Sequence, residues 1–185
     1  MIFTETKLRG TYLIDIHKLP DERGFFARTW CDREAQAHGL RAPMVQCSIS
    51  FNNEKGTLRG MHYHAAPFKQ SRLVSCLRGS VFAVAVDLRP RSHTFLQNLS
   101  LALEAESHRA IYIPEGLALG YQTLEHNTEI YYRMTEFYDP AYERGFRWND
   151  PVFDIQWPDD DRTIKDRDNN YPDFRLETVS EFSGY

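Results

Sequence analysis

The sequence predicts an all-β protein, a barrel or sandwich of short strands with a few short helices and an irregular C-terminal tail. Between Thr11 and Tyr138, runs rich in Val, Ile, Tyr, Phe and Thr alternate at close intervals with Gly, Pro and Asn clusters, the pattern of short strands joined by turns. The run Val81-Phe82-Ala83-Val84-Ala85-Val86 shows no polar alternation, as befits a strand covered on both faces of a closed or double-layered barrel. The 185 residues, 42% hydrophobic and 14% aromatic, suffice for one well-filled core and are too few for two comfortable ones. A single domain over residues 1–185 is expected.

Taken in order, strands are predicted over residues 12–16, 44–51, 58–64, 72–77, 81–88, 94–103, 110–113 and 128–137. Arg78-Gly79, Pro90, Pro114-Glu115-Gly116 and Asp139-Pro140 separate them, because Gly and Pro take or force turn conformations. A helix is predicted over 32–38, with Asp32 as its acidic cap and Gly39 as its stop. Residues 159–161 and 169–173 are polar and turn-prone, which predicts a tail lying over the barrel rather than a second domain.

A net charge of -4 and a pI near 6.0 provide no general attraction to phosphate backbones, which argues against nucleic acid as partner. Cys31, Cys47 and Cys76 are odd in number and lack CxxC spacing, and the first ten residues carry no apolar secretory run. Reduced, buried or half-buried thiols in a cytoplasmic protein are expected. No stretch approaches the roughly 20 apolar residues of a membrane span.

The segment Gly56-Thr57-Leu58-Arg59-Gly60-Met61-His62-Tyr63-His64 reads as a strand entered from a turn. Its period of two sets His62 and His64 on one face and Met61 and Tyr63 on the other. Two imidazoles on one wall suit metal binding, proton transfer or plain hydrogen bonding inside a barrel, and the pair alone does not choose. His17, His38, His93, His108 and His126 fall in turns or polar strand edges and are expected to be solvated.

Around that segment the chain carries, in order, Asp21-Glu22-Arg23-Gly24-Phe25-Phe26, Gln46 and Ser48, Gln70-Ser71-Arg72-Leu73-Val74, Val86-Asp87-Leu88-Arg89, Ile113-Pro114-Glu115-Gly116, Tyr132, Tyr138-Asp139-Pro140, Arg147-Trp148-Asn149-Asp150 and Ile164-Lys165-Asp166-Arg167-Asp168. In this order the sequence resembles the dTDP-4-dehydrorhamnose 3,5-epimerase family of the cupin superfamily, from about Phe3 to Phe174. The resemblance implies a double-stranded β-helix, or jelly-roll, barrel. It also implies a homodimer exchanging N-terminal strands, a nucleotide-diphosphate 4-keto sugar as substrate, no metal and no other cofactor. His62 would be the base, oriented by Asp168, and Tyr132 the proton donor. Arg72 would be the cation beside the enolate. Arg59 and Arg23 would contact the diphosphate, Arg23 across the dimer interface. Phe26, Gln46, Ser48, His64, Leu119 and Tyr138 would complete the substrate pocket. Each residue has an ordinary alternative, Arg59 as a strand-end ion pair, Tyr132 as a core aromatic, Asp168 as a turn residue. Only their joint occurrence outweighs those alternatives.

The chain departs from the family pattern at three pocket positions. Arg72 stands where relatives carry Lys, Ala83 where they carry Asp, and Leu119 where they carry His. Losing Asp and His together avoids an unpaired buried charge, as expected of a pocket retuned for another sugar or for one carbon only. The same losses leave His62 and His64 without the further ligands that metal sites require. Two alternatives remain at this point, a sugar-nucleotide ketoisomerase and a barrel that binds a sugar nucleotide without turnover.

Overall fold

The computed structural model describes residues 1–41, 43–68, 70–176 and 182; the last stretches of the predicted tail, 177–181 and 183–185, lie outside the described residues. The strands are β1 (Ile2–Glu5), β2 (Tyr12–Asp15), β3 (Leu19–Asp21), β4 (Gly24–Phe26), β5 (Gln46–Asn52), β6 (Thr57–His64), β7 (Arg72–Arg78), β8 (Ser80–Asp87), β9 (Asn98–Glu104), β10 (Ala110–Ile113), β11 (Leu117–Thr123), β12 (Thr128–Met134), β13 (Glu143–Gly145) and β14 (Thr163–Ile164). Helix α1 spans Asp32–Ala37 and α2 spans Asp166–Asn169.

One six-stranded sheet runs β1-β2-β10-β7-β12-β5, and a second runs β13-β6-β11-β8-β9 with β14 added alongside β6. Strands β3 and β4 form a separate hairpin. Val74, Ile111, Ile113 and Ile130 of the first sheet meet Val81, Ala83, Ala85, Leu103, Leu117 and Leu119 of the second in one buried cluster. This cluster is the barrel interior. Strand β8 alternates between two cores: Val84 and Val86 point the other way, into a cluster with Phe146, Phe153, Trp157 and Phe174 of the tail. The uninterrupted apolar run therefore serves a strand covered on both faces, with the irregular tail as its outer cover.

Helix α1 is held over the first sheet in a third cluster, where Ala35 packs with Ile14, Leu73 and Tyr112. Its N-cap is Cys31 rather than Asp32. Asp32 sits in the first turn, where its carboxylate accepts the Trp30 indole N–H at 2.6 Å. Strand β9 starts at Asn98, later than the predicted 94, because the preceding residues wrap Asp87. The hydroxyls of Ser92 and Thr94 each donate to its Oδ2 at 2.6 Å, and Arg89 pairs with it at 2.7 Å. Cys47 is exposed on β5, against the expectation of a buried or half-buried thiol, because β5 is the outer strand of its sheet.

Candidate active site

Strands β6 and β11 pair irregularly, with Leu119 opposite His62 and Tyr121 opposite Arg59. Two residues of β6, Gly60 and Met61, therefore face one of β11, Gly120, which is a β-bulge. In a regular strand residues three apart face opposite sides. The bulge lets Arg59 and His62 both line one cavity of about 260 Å³. Gly60 permits the close approach: its φ is +129°, and a Cβ there would lie 2.6 Å from the Gly120 Cα.

The cavity lies between the sheets, walled by Arg59, His62, His64, Leu119 and Tyr121 from β6 and β11 and by Ser50, Arg72, Tyr132 and Met134 from β5, β7 and β12. Gln70, Tyr138 and Glu143 complete it. His62 and Tyr132 thus face the same space from different sheets. A larger cavity of about 580 Å³ opens elsewhere, lined by residues including Tyr12, His38, Arg89 and Tyr112. None of the predicted site residues reaches it, so the smaller cavity is the candidate.

Behind His62 stands the tail. Helix α2 brings Asp168, 97% buried, to 2.9 Å from the His62 Nε2. Its other oxygen accepts the Gly60 N–H at 3.2 Å. Burial alone would raise the Asp168 carboxyl, but hydrogen bonds from His62, the Gly60 amide and Arg167 hold it below the usual carboxylate range. Arg167 approaches Asp168 at 3.2 Å, Glu143 at 2.9 Å and the His62 Nε2 at 3.3 Å. A carboxylate only accepts. The nearer Asp168 therefore accepts the hydrogen bond from the His62 Nε2–H, which leaves Nδ1 as the unprotonated nitrogen of the neutral ring. The Trp148-Asn149-Asp150 stretch anchors this arrangement. The Trp148 indole donates to the Asn169 Oδ1 at 3.2 Å, and the buried Asp150 carboxylate accepts the amides of Val152 and Phe174.

Across the cavity, burial first and the hydrogen-bonded Tyr121 hydroxyl second push the Tyr132 phenol well above its ordinary value, against the pull of Arg72 and Arg59. The phenol is therefore neutral and holds a transferable proton. Arg59 donates its Nε–H to the Asn52 Oδ1 at 2.8 Å. Gln46 lies outside the lining and touches the site through Tyr138, its Oε1 accepting the Tyr138 amide at 2.9 Å.

Not every predicted residue joins the cavity. Ser48 lies opposite Tyr132 in the β5–β12 register but is exposed and outside the lining, where Ser50 stands instead. Arg23 and Phe26 lie on the β3–β4 hairpin, Phe26 72% exposed and Arg23 paired with Asp21 at 2.6 Å. Ala83 sits in the barrel interior with Leu119 rather than in the cavity wall. Sequence reasoning gave no role to Arg167, Glu143, Tyr121 or Ser50. Arg167 alone carried a signal, its place beside Asp168. Among the described residues, no group of three or more His, Cys, Asp or Glu side chains is placed to hold a metal ion.

The sequence profile of the dTDP-4-dehydrorhamnose 3,5-epimerase family matches residues 5–175. The chain belongs to this family. The dTDP-4-dehydrorhamnose 3,5-epimerase of Methanothermobacter thermautotrophicus is 37% identical over 180 residues, covering 96% of each chain. Among solved structures, the dTDP-6-deoxy-D-glucose-3,5-epimerase of Legionella pneumophila in complex with dTDP-4-keto-L-rhamnose superposes with a TM-score of 0.90 at 31% identity, covering 100% of this chain and 98% of that one. A 3'-monoepimerase from Streptomyces bikiniensis in complex with dTDP-quinovose gives a TM-score of 0.84 at 29% identity, covering 97% of this chain and 90% of that one. The barrel is thus the cupin-type double-stranded β-helix of the family, and the family's members are isomerases.

Proposed function

We propose that this chain is a nucleotide-sugar epimerase that inverts one or both carbons flanking the ketone of a nucleotide-linked 4-keto-6-deoxy sugar, with dTDP as the carrier. The observation that carries this reading is the pairing of His62 with Asp168 on one wall of a cavity whose opposite wall presents a neutral Tyr132. Epimerisation beside a ketone needs a base on one face of the ring, an acid on the other and a partner for the developing enolate oxygen. His62 takes the proton from the carbon, the C–H electron pair moves into the ring and the ketone oxygen becomes the enolate oxygen. Tyr132 then returns a proton to the same carbon from the opposite face. Arg72 supplies the positive charge beside the enolate, and Arg59 the fork that receives the diphosphate.

Arg23 and Phe26 act in a second subunit's cavity. In support, the hairpin that bears them is exposed, and Ile49 and Phe51 of the outer strand β5 are 58% and 44% exposed, apolar surface that suits a homodimer. The enzyme is expected to work in the cytoplasm. Leu119, directly opposite His62 in the strand register, favours proton exchange at one carbon or on a different sugar. The monoepimerase relative is a precedent in the same fold.

The test is incubation with a panel of nucleotide-linked 4-keto sugars in heavy water, followed by NMR of each ring position. Deuterium entering at the flanking carbons without movement of the carbonyl supports the epimerase. A shifted carbonyl would make it a ketoisomerase, and no exchange into bound sugar would reduce it to a binding barrel. His62→Asn should abolish the exchange.

A further inference from the structure

The second histidine of β6 sits at the end of a directional hydrogen-bond chain. The Gln70 Nε2 donates to the Glu136 carbonyl at 3.2 Å, which turns the Gln70 Oε1 toward Arg72. The Arg72 Nε–H donates to that oxygen at 3.2 Å, and its Nη2 lies 2.8 Å from the His64 Nδ1. A guanidinium has donors only. The His64 Nδ1 must therefore accept, and a neutral ring then carries its proton on Nε2. His64 is 92% buried, its residual exposure being 8%. Among the described residues its Nε2 has no hydrogen-bond partner, although His64 lines the cavity. Phe68 and Tyr138 box the ring at 5.2 and 6.1 Å between centroids, which fixes its orientation.

An unpaired buried donor costs roughly 1–3 kcal/mol, and a ligand in the cavity that His64 lines can supply the acceptor. Building on the epimerase reading above, we infer that His64 is locked as the Nε2–H tautomer and donates this hydrogen bond to the sugar's ketone oxygen, the atom that becomes the enolate when His62 removes the neighbouring proton. His62 and His64 are two residues apart on one strand face, about 7 Å at the usual strand rise. One ring can then reach a C–H while the other reaches the oxygen on the adjacent carbon. The positive charge of Arg72 behind Nδ1 polarises the Nε2–H, and a neutral imidazole is an effective electrophile toward a carbonyl. Burial first, then Arg72 and His62, depress the ring's pKa to about 3, while Glu143 and Asp139 oppose them. His64 thus stays a donor throughout the working pH range and takes no part as acid or base.

Nitrogen-15 NMR of the unmodified, ligand-free protein between pH 5 and 8 should find the His64 Nδ1 unprotonated, Nε2 protonated and neither titrating. A ring that titrates near 6.5, or that carries its proton on Nδ1, would overturn the inference whether or not the protein turns over a keto sugar. With a keto sugar that the wild type exchanges, His64→Phe should lower kcat about 10²–10³-fold with little change in KM, the loss expected for one oxyanion donor. His64→Gln, whose amide N–H reaches nearly the same point, should recover at least tenfold without altering the pH profile. Unchanged kcat in the Phe variant would refute the assignment.

Discussion

His64 titrates in the folded chain at about 3, against roughly 6.5 when unfolded. Between these values the unfolded chain binds a proton that the native state refuses, so stability falls as pH drops from about 6.5 toward 3. His64→Phe should flatten that part of a stability–pH curve measured by urea unfolding. Asp168 acts with the same sign lower on the scale. Its pKa is depressed in the folded state, so its contribution is full above the unfolded value of about 3.9 and lost as pH falls through the folded one. Asp168→Asn should lower exchange activity sharply at every pH, because an amide that keeps accepting the Gly60 N–H turns its NH2 toward Nε2 and favours the Nδ1–H form of His62. An Asn variant with wild-type exchange rates would show that the carboxylate is dispensable. Tyr132→Phe removes the donor without removing the base, and exchange into the substrate should survive it better than inversion, compared by NMR in one incubation.

Strand β6 shows how far an element can be read from residues alone. Its extent, to within one residue at the start, and the shared face of His62 and His64 follow from alternation and from the Gly that opens it. The entry of Arg59 into the same cavity does not follow, because strict period two assigns it to the face of Met61. The reason lies in β11, where Gly120 meets Gly60 across the bulge. A pairing partner 60 residues away leaves no mark on local periodicity. Helix α2 was likewise illegible: its four residues are too few to show a period, and tertiary contacts to Asn169 and Asp168 hold it in place. By contrast β10 falls on its predicted residues. Gly60→Ala should cost about 1–3 kcal/mol in urea unfolding from backbone strain alone, and it should depress activity by moving Arg59 relative to His62. An Ala variant of wild-type stability would mean that the two strands can part at no cost.

At the scale of the whole molecule, the proposed dimer makes each cavity depend on a hairpin from its neighbour. Arg23→Ala and His62→Asn should each be nearly inactive as homodimers. Mixed and reassembled together, they should regain about a quarter of the wild-type sites, since half of the sites in mixed two-fold dimers have both residues intact. Absence of recovery in proven mixed dimers would place Arg23 in its own subunit's service, and an active Arg23→Ala homodimer would give it no role. Residues of both sheets form the buried interior cluster, and the tail joins the second cluster against β8.

The carboxylate that steadies the His62 ring follows it by 106 residues. A ribosome making this protein would therefore expose the barrel strands long before the imidazole is held. The nascent chain should acquire a recognisable sheet core first and competence for proton transfer only after α2 has left the exit tunnel.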